Sequence, residues 1–479
     1  MGKPIDRIVD EPLISRIRQG NLAAKPPRVA IVGGGPGGLF TAWNLEHQAD
    51  SPFELTLFEG TDRLGGKVLT PVFSTRGIRY EAGAAEFYDY TPVGEDPLRD
   101  LVESLGLHPV GLAGAGVHVL EKRIANLDDL SDSLGPDARK KMATFDNWAR
   151  STMTPREFYT SGTDGSCHAA QPGPFHQALP GSVGNGLRRY LETMIHSDLA
   201  TPASKTSTAY GLQNYLMNDP AYMRLYRIAG GNEQLIRALS ERISAQVRLS
   251  TRVERVVRAE NGPMRLEFAG LEGPQSEAFD AVVLALPLEA LKRLKFQGGE
   301  LSEAMGRHIG HHDHPAHYLR VTLLTDLSPQ PILGDDGYLM LDAFGGCCLY
   351  SETAIEPDAR HGVLGWLIGG EAAERMSLLN DQALVSAVLN TLPPSLAHLG
   401  GRVVESRVHR WVGAVSAIPG GWDSLPEDRR HRPAATTHSS LLIVGDYLYD
   451  STLNGALESA EYAAGWLAAH LESLRAGNG

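Results

Sequence analysis

Glycines at 33, 35 and 38 and a glutamate at 59 form the pattern in this chain most able to do chemistry. Gly33, Gly35 and Gly38 give the spacing G-x-G-x-x-G, with Pro36 and Gly37 inside it. Each glycine has a physical task. The first turns the chain sharply, the second lets a pyrophosphate approach the backbone, and the third lets a helix pack close to a sheet. Glu59 lies 21 positions after Gly38, followed by Gly60. An acid at that distance accepts the ribose hydroxyls of a dinucleotide and disfavours a 2′-phosphate.

Two further stretches extend this site. Arg63-Leu64-Gly65-Gly66-Lys67 pairs two glycines with two cations. It reads as backbone and charge close to a phosphate, or as a plain polar turn. Small residues at Ala82-Gly83-Ala84-Ala85, just before Glu86, would let a flat ring lie against the backbone.

The elements that must position these residues follow. Val29–Val32 is an apolar run of strand length, and Leu39 opens a helix whose first turn binds phosphate. Glu54–Phe58 reads as the second strand of a βαβ unit. Helix-like spacing recurs at Leu98–Leu105 and Leu187–Ile195, and 151–185 reads as loop. Asn232 is a good N-cap for a helix with Leu235, Ile236, Leu239 and Ile243 on one face. Strands are expected at Val247–Leu249, Val253–Val257, Met264–Phe268, Ala281–Leu286 and Tyr318–Leu324, with a hairpin signal at Asn261-Gly262. Leu441–Val444 is a last strand, ending in Gly445-Asp446, before a helix from Asn454 to about Leu474.

In this order the βαβ unit, the R-x-G-G-K segment and Gly83-Ala84 resemble the flavin-containing amine oxidase family of monoamine, polyamine and L-amino-acid oxidases. That family neighbours protoporphyrinogen oxidase and the carotenoid desaturases. Lys67 stands where the family usually has arginine. The resemblance implies an α/β fold: a discontinuous Rossmann-like FAD-binding domain with a mixed α+β substrate domain. It implies an N-terminal arm at 1–26, FAD-binding segments at 27–96, 225–295 and 405–479, and substrate segments at 97–224 and 296–404. By the same resemblance Val253 meets the adenine through its backbone. Gly83, Ala84, Ala85 and Glu86 line the flavin, and Gly445, Asp446, Leu453, Asn454 and Ala456 form the C-terminal flavin motif. The family's cysteine tether aligns roughly with Trp422, which implies noncovalent FAD.

The chemistry implied is hydride transfer from the α-carbon of a small amine or amino acid to flavin N5, then reoxidation by O2 to H2O2. Glu86 stands where L-amino-acid oxidases place an arginine for the substrate carboxylate. A glutamate there would attract a cationic amine, or pair with a protein arginine. Arg320 is the nearest match to the family lysine near N5; it stays charged and cannot act as a base. Trp422, Tyr447 and Tyr449 are candidates for an aromatic wall, or ordinary buried rings. The alternative is an FAD dehydrogenase or desaturase acting on a C–C bond of a specialised metabolite. A non-redox flavin mutase and a purely structural flavoprotein are more distant.

Composition bounds the rest. The 479 residues suit two domains in one body, and the net charge of -13 with no basic block argues against nucleic acid. No apolar run is long enough to span a membrane, and the charged N-terminal stretch is unlike a secretory signal. Three cysteines make no disulfide framework, which fits a cytoplasmic protein. The resemblance also admits a homodimer. Five histidines between Arg307 and His317 match no metal-ligand spacing and are expected in a solvated loop, one of them facing the site.

Overall fold

A computed structural model describes residues 25–476, apart from 165–172, 183–184, 259–261, 271–272, 328–332, 334–336, 353–354, 356–359 and 418–424. The N-terminal arm, Asn261 of the hairpin signal and Trp422 lie outside the described residues.

Three distant parts of the chain build one parallel sheet. Its strand order is Leu441–Ile443, Ala281–Leu284, Arg28–Val32, Glu54–Phe58 and Gln246–Arg248. Arg28–Val32 sits in the middle and pairs in parallel with Ala281–Leu284 and Glu54–Phe58. Its run Val29–Val32 is buried on both faces, which explains unbroken hydrophobicity instead of alternation. On one face lie the helices Pro36–Gln48, Glu233–Ser240 and Leu453–Ala476. Ala460, Ala463 and Ala464 of the last helix have no exposed surface, so small side chains bring it close to its neighbours.

The opposite face is covered by a mixed four-stranded sheet that includes the antiparallel pair Arg252–Arg258 and Met264–Gly270, and by the helix Leu301–His312. This helix replaces the expected solvated loop. Leu301, Ala304, Met305, His308 and His312 fall on its buried face. The histidines were counted as polar, which hid a spacing that places them with the apolar residues.

A third sheet dominates the rest of the molecule. Its order is Val403–Ser416, Pro315–Thr325, Gly362–Gly369, Cys347–Ser351, Gly337–Leu341, Pro109–Val119, Arg224–Ile228 and Phe87–Asp89. Side chains alternate across it. Met340, Cys348, Tyr350 and Leu367 face the helices Pro136–Thr152, Gly186–Leu199 and Thr208–Leu216. Leu339, Leu341, Cys347, Leu349, Trp366 and Ile368 face Gly370–Met376 and Asp381–Leu389.

The stretch 151–185, expected as loop, contains the helix Pro155–Asp164. Its start was legible: Thr154-Pro155-Arg156-Glu157 is a capping box with proline at the first helical position. The Glu157 carboxylate accepts from Thr154 N at 2.7 Å, and Glu157 N donates to Thr154 Oγ at 3.3 Å.

Candidate active site

The glycine loop is shaped by close backbone contacts. Gly33 has φ +114°, and a Cβ there would lie 2.1 Å from Ala285 O. At Gly38 a Cβ would lie 1.9 Å from Gly33 O, so only glycine lets the helix start against the strand. Gly35 differs. Its nearest neighbour would be Gly66 Cα at 3.9 Å, which leaves an open cradle between the two glycine-rich turns. Gly65 and Gly66 have φ +104° and +52°, and Gly65 N donates to Gly34 O at 2.8 Å. Gly37 lies against Val444.

Glu59 is held by the backbone around it. Gly34 N donates to Oε2 at 2.9 Å and Thr61 N to Oε1 at 2.8 Å. Thr251 N donates to Glu59 O at 2.8 Å, and Gly60 lies against the Arg252 side chain. Val253 thus stands next to the acid's strand end. The cations behave differently from a simple phosphate clamp. Arg63 donates to Leu64 O at 3.1 Å and Gly66 O at 2.7 Å, so its guanidinium braces its own turn. Lys67 reaches Asp446 Oδ2 at 2.6 Å and Ala414 O at 2.6 Å, closing the cleft between the first and last cofactor segments.

At the other end, Gly445 N and the His431 ring both meet Ser459 Oγ at 3.1 Å. Asn454 Nδ2 donates to Asp96 Oδ1 at 3.2 Å, while its Oδ1 is buried with no partner. Leu453, Asn454 and Ala456 lie in the first turn of the helix Leu453–Ala476, whose N-terminal dipole favours negative charge. The open cradle at Gly35, the acid of Glu59 fixed beside it and the Asn454 oxygen without a partner among the described residues fit a dinucleotide.

The small-residue segment is locked from behind. Gly83 would place a Cβ 1.8 Å from Lys67 O, and Ala84 N donates to that oxygen at 3.0 Å. Trp411 Nε1 donates to Ala82 O at 2.6 Å. Asn232 makes no side-chain cap. Its Nδ2 donates to Ala84 O at 2.9 Å and its Oδ1 accepts from Ile228 N at 2.9 Å. It ties the helix turn to the ring-binding segment instead. Ala85 is buried beside Glu86.

Behind this segment lies a buried charge group. Arg320, 1% exposed, donates through Nε to Glu81 O at 3.0 Å and pairs with Glu352 through Nη2. Glu352 Oε2 accepts from Glu81 N at 2.8 Å. Burial pushes the Glu81 carboxyl up to about 8. Tyr350 donates to Glu86 Oε1 at 2.9 Å, and Arg320 lies 5.4 Å from the centre of the Tyr350 ring. Burial raises the Glu86 pKa, opposed by Arg320. Glu86 Oε2 and Arg320 Nη1 are both buried without a partner among the described residues.

Glu86 and Arg320 thus come together. Tyr447 and Tyr449 do not join them. Tyr447 packs in the core under the parallel sheet, its ring 5.5 Å from His312 and its hydroxyl without a partner among the described residues. Tyr449 donates to Glu427 at 2.9 Å and stacks near Arg430. Burial lowers His308 to about 3 and His312 to about 2, so both are neutral. Among the described residues no group of three or more His, Cys, Asp or Glu is arranged to hold a metal ion, and no helix is long and apolar enough to cross a membrane.

Sequence reasoning missed Tyr350, which holds Glu86, and three more tyrosines on the same face of the large sheet. Tyr88, Tyr318, Tyr338 and Tyr350 come from four strands of the large sheet and keep their rings on its helix-covered face. Tyr338 and Tyr350 lie 5.9 Å apart, and Tyr318 donates to Ser197 O at 2.6 Å. The alternation of Tyr338-Leu339-Met340 and Cys348-Leu349-Tyr350 was the available signal.

A family model described as flavin containing amine oxidoreductase matches residues 36–467. The flavin-dependent L-tryptophan oxidase of Lentzea aerocolonigenes is 24% identical over 90% of this chain and 96% of its own length. Two solved structures share the fold. A putrescine oxidase double mutant has a TM-score of 0.68 at 18% identity, covering 94% of this chain and 99% of its own. The cyclohexylamine oxidase of Brevibacterium oxydans IH-35A has a TM-score of 0.66 at 19% identity, covering 94% of this chain and 100% of its own.

Proposed function

This chain belongs to the flavin-containing amine oxidoreductase family, and from that premise we propose that it oxidises the C–N bond of a small amine or amino acid, with O2 taking the electrons and H2O2 leaving. The observation that carries this reading is Glu86: an acid held by Tyr350 beside the ring-binding segment, one of its oxygens without a partner among the described residues, with Tyr88, Tyr318 and Tyr338 on the same sheet face completing what we read as a tyrosine chamber. Bound noncovalently in the cleft, FAD supplies the two-electron acceptor.

The chain's own residues bind, orient and take a proton. The Glu86 carboxylate draws in an ammonium group, and the tyrosine faces favour a cation. Amine oxidation requires the neutral amine. Among the described residues Glu86 Oε2 has no donor, and burial makes it a stronger base, so it is placed to receive the ammonium proton. Arg320, tied to Glu352, offsets the local negative charge and holds the tyrosine that fixes Glu86. The protein works in a reducing, cytoplasmic compartment. Buried Cys347 and Cys348, whose thiols burial raises, agree with that.

The test is peroxide formation by the FAD-loaded enzyme across a panel of amines and amino acids, with Glu86→Gln beside it. Loss of one charge-assisted contact should lower kcat/KM for cationic amines by about 10- to 100-fold. Unchanged turnover in the variant would remove Glu86 from the mechanism. A flavin that no amine reduces would favour the C–C dehydrogenase.

A further inference from the structure

A second acid, close enough to Glu86 for their charges to interact, takes no part in the oxidation step. Asp198 lies in the last turn of the helix Gly186–Leu199. Four glycines let that helix end reach the sheet. A Cβ on Gly346 would lie 2.7 Å from His196 Cβ, and one on Gly369 would lie 3.3 Å from Ala200 Cα. Gly345 and Gly370 also face His196. Tyr318 clamps the same turn, donating to Ser197 O at 2.6 Å and Asp198 O at 3.3 Å.

The Asp198 side chain is partly uncovered although it stands between core elements. Among the described residues no cation pairs with it and no donor reaches its carboxylate; the recorded contact uses its backbone oxygen. Tyr88, Tyr318, Tyr338 and Tyr350 all feel its charge, as does Tyr210 from the facing helix Thr208–Leu216. Burial, then Glu86, raises it to about 8. A helix C-terminus adds partial negative charge at the same place. An uncompensated buried acid is costly, and a structural carboxylate would have a partner. Arg320, the buried cation nearby, is already engaged by Glu352 and Glu86.

We infer that Asp198 holds a second positive charge of the substrate: the chamber takes a molecule with two cationic nitrogens, one reacting beside Glu86 and the other seated on Asp198 between tyrosine faces. This deepens the amine reading and rests on it for the reacting end alone.

The test compares molecules that differ only in the distal ammonium: cadaverine against pentylamine, and L-lysine against L-norleucine. Binding to the FAD-loaded enzyme is measured anaerobically by thermal shift, which reports affinity whether or not turnover occurs. Flavin bleaching is recorded in the same samples. The dication of at least one pair should bind about tenfold or more tightly than its partner, and Asp198→Asn should erase that advantage. Asp198→Glu should keep part of it. Equal affinities within both pairs, or an advantage that survives in Asp198→Asn, would overturn the assignment. So would an unliganded Asp198→Asn protein that melts lower or fails to fold, because that marks a structural carboxylate. Dication preference without bleaching would sink the amine oxidation reading and leave Asp198 standing. Bleaching without preference would do the reverse.

Discussion

The cofactor cleft and the tyrosine chamber treat charge in opposite ways. In the cleft, Glu59 is met by backbone donors, Arg63 by carbonyls of its own turn, and Lys67 by Asp446. Those contacts join the motif segments to one another, and the open space is left by glycine. In the chamber, Asp198 has no cation, and Glu86 Oε2 and Arg320 Nη1 have no partner among the described residues. The cleft is shaped before its ligand arrives. On the proposed function, the chamber keeps polar groups in reserve for a ligand to complete.

The largest effect that would sharpen this contrast is at Gly38. A Cβ there meets Gly33 O at 1.9 Å, so Gly38→Ala must push the helix off the strand. We expect complete loss of flavin absorbance, with a stability loss beyond the about 1–3 kcal/mol of ordinary overpacking because the clash is with backbone. Gly38→Ala carrying a full complement of FAD would break the account of the cleft.

Next comes Arg320→Met. It leaves Glu352 buried without its cation, at a cost of about 3–5 kcal/mol. Denaturation of the variant measures this. A loss below about 1 kcal/mol would mean the charge group is far better hydrated than its burial indicates.

A smaller effect is acid sensitivity from His308 and His312. Their folded pKa values, about 3 and about 2, lie below the unfolded value of about 6.5. Their stabilising contribution is therefore fully present above about 6.5 and is lost as pH falls towards 3. Glu81 and Asp198, raised to about 8, act in the opposite sense, favouring the fold as pH drops from about 8 to about 4. The acid limb should therefore steepen below about 4.5, and His308→Leu should flatten it. A melting profile that is the same in both proteins would contradict the buried-histidine assignment.

The smallest change to the fold is expected from Gly35→Ala, where a Cβ has 3.9 Å of clearance. The apoprotein should melt within about 0.5 kcal/mol of the parent. FAD affinity, read by equilibrium dialysis, should still fall, because the methyl fills the cradle. Unchanged affinity would show that the pyrophosphate does not sit there.

Which parts the sequence revealed follows the same divide. Gly33, Gly35, Gly38, Glu59 and the Gly445-Asp446 turn act through local backbone geometry, and local geometry leaves fixed spacings. The chamber is assembled from single residues on separate strands and one helix end. Glu86, Asp198, Arg320 and Tyr350 have no mutual spacing to read, and their meaning appears once the large sheet sets their register. Arg63 and Lys67 were legible as charges but not as partners, because Asp446 lies 379 positions beyond Lys67. Tyr447 drew notice for its position beside the flavin motif, yet its ring turns to the histidine-bearing helix.

The most direct test of the central claim is an anaerobic titration of the FAD-loaded enzyme with cationic amines, followed by admission of air. The account predicts that an amine bleaches the flavin band, that air restores it with peroxide formed, and that Glu86→Gln needs more amine to reach the same bleaching. A yellow protein that every amine and amino acid leaves oxidised would contradict it.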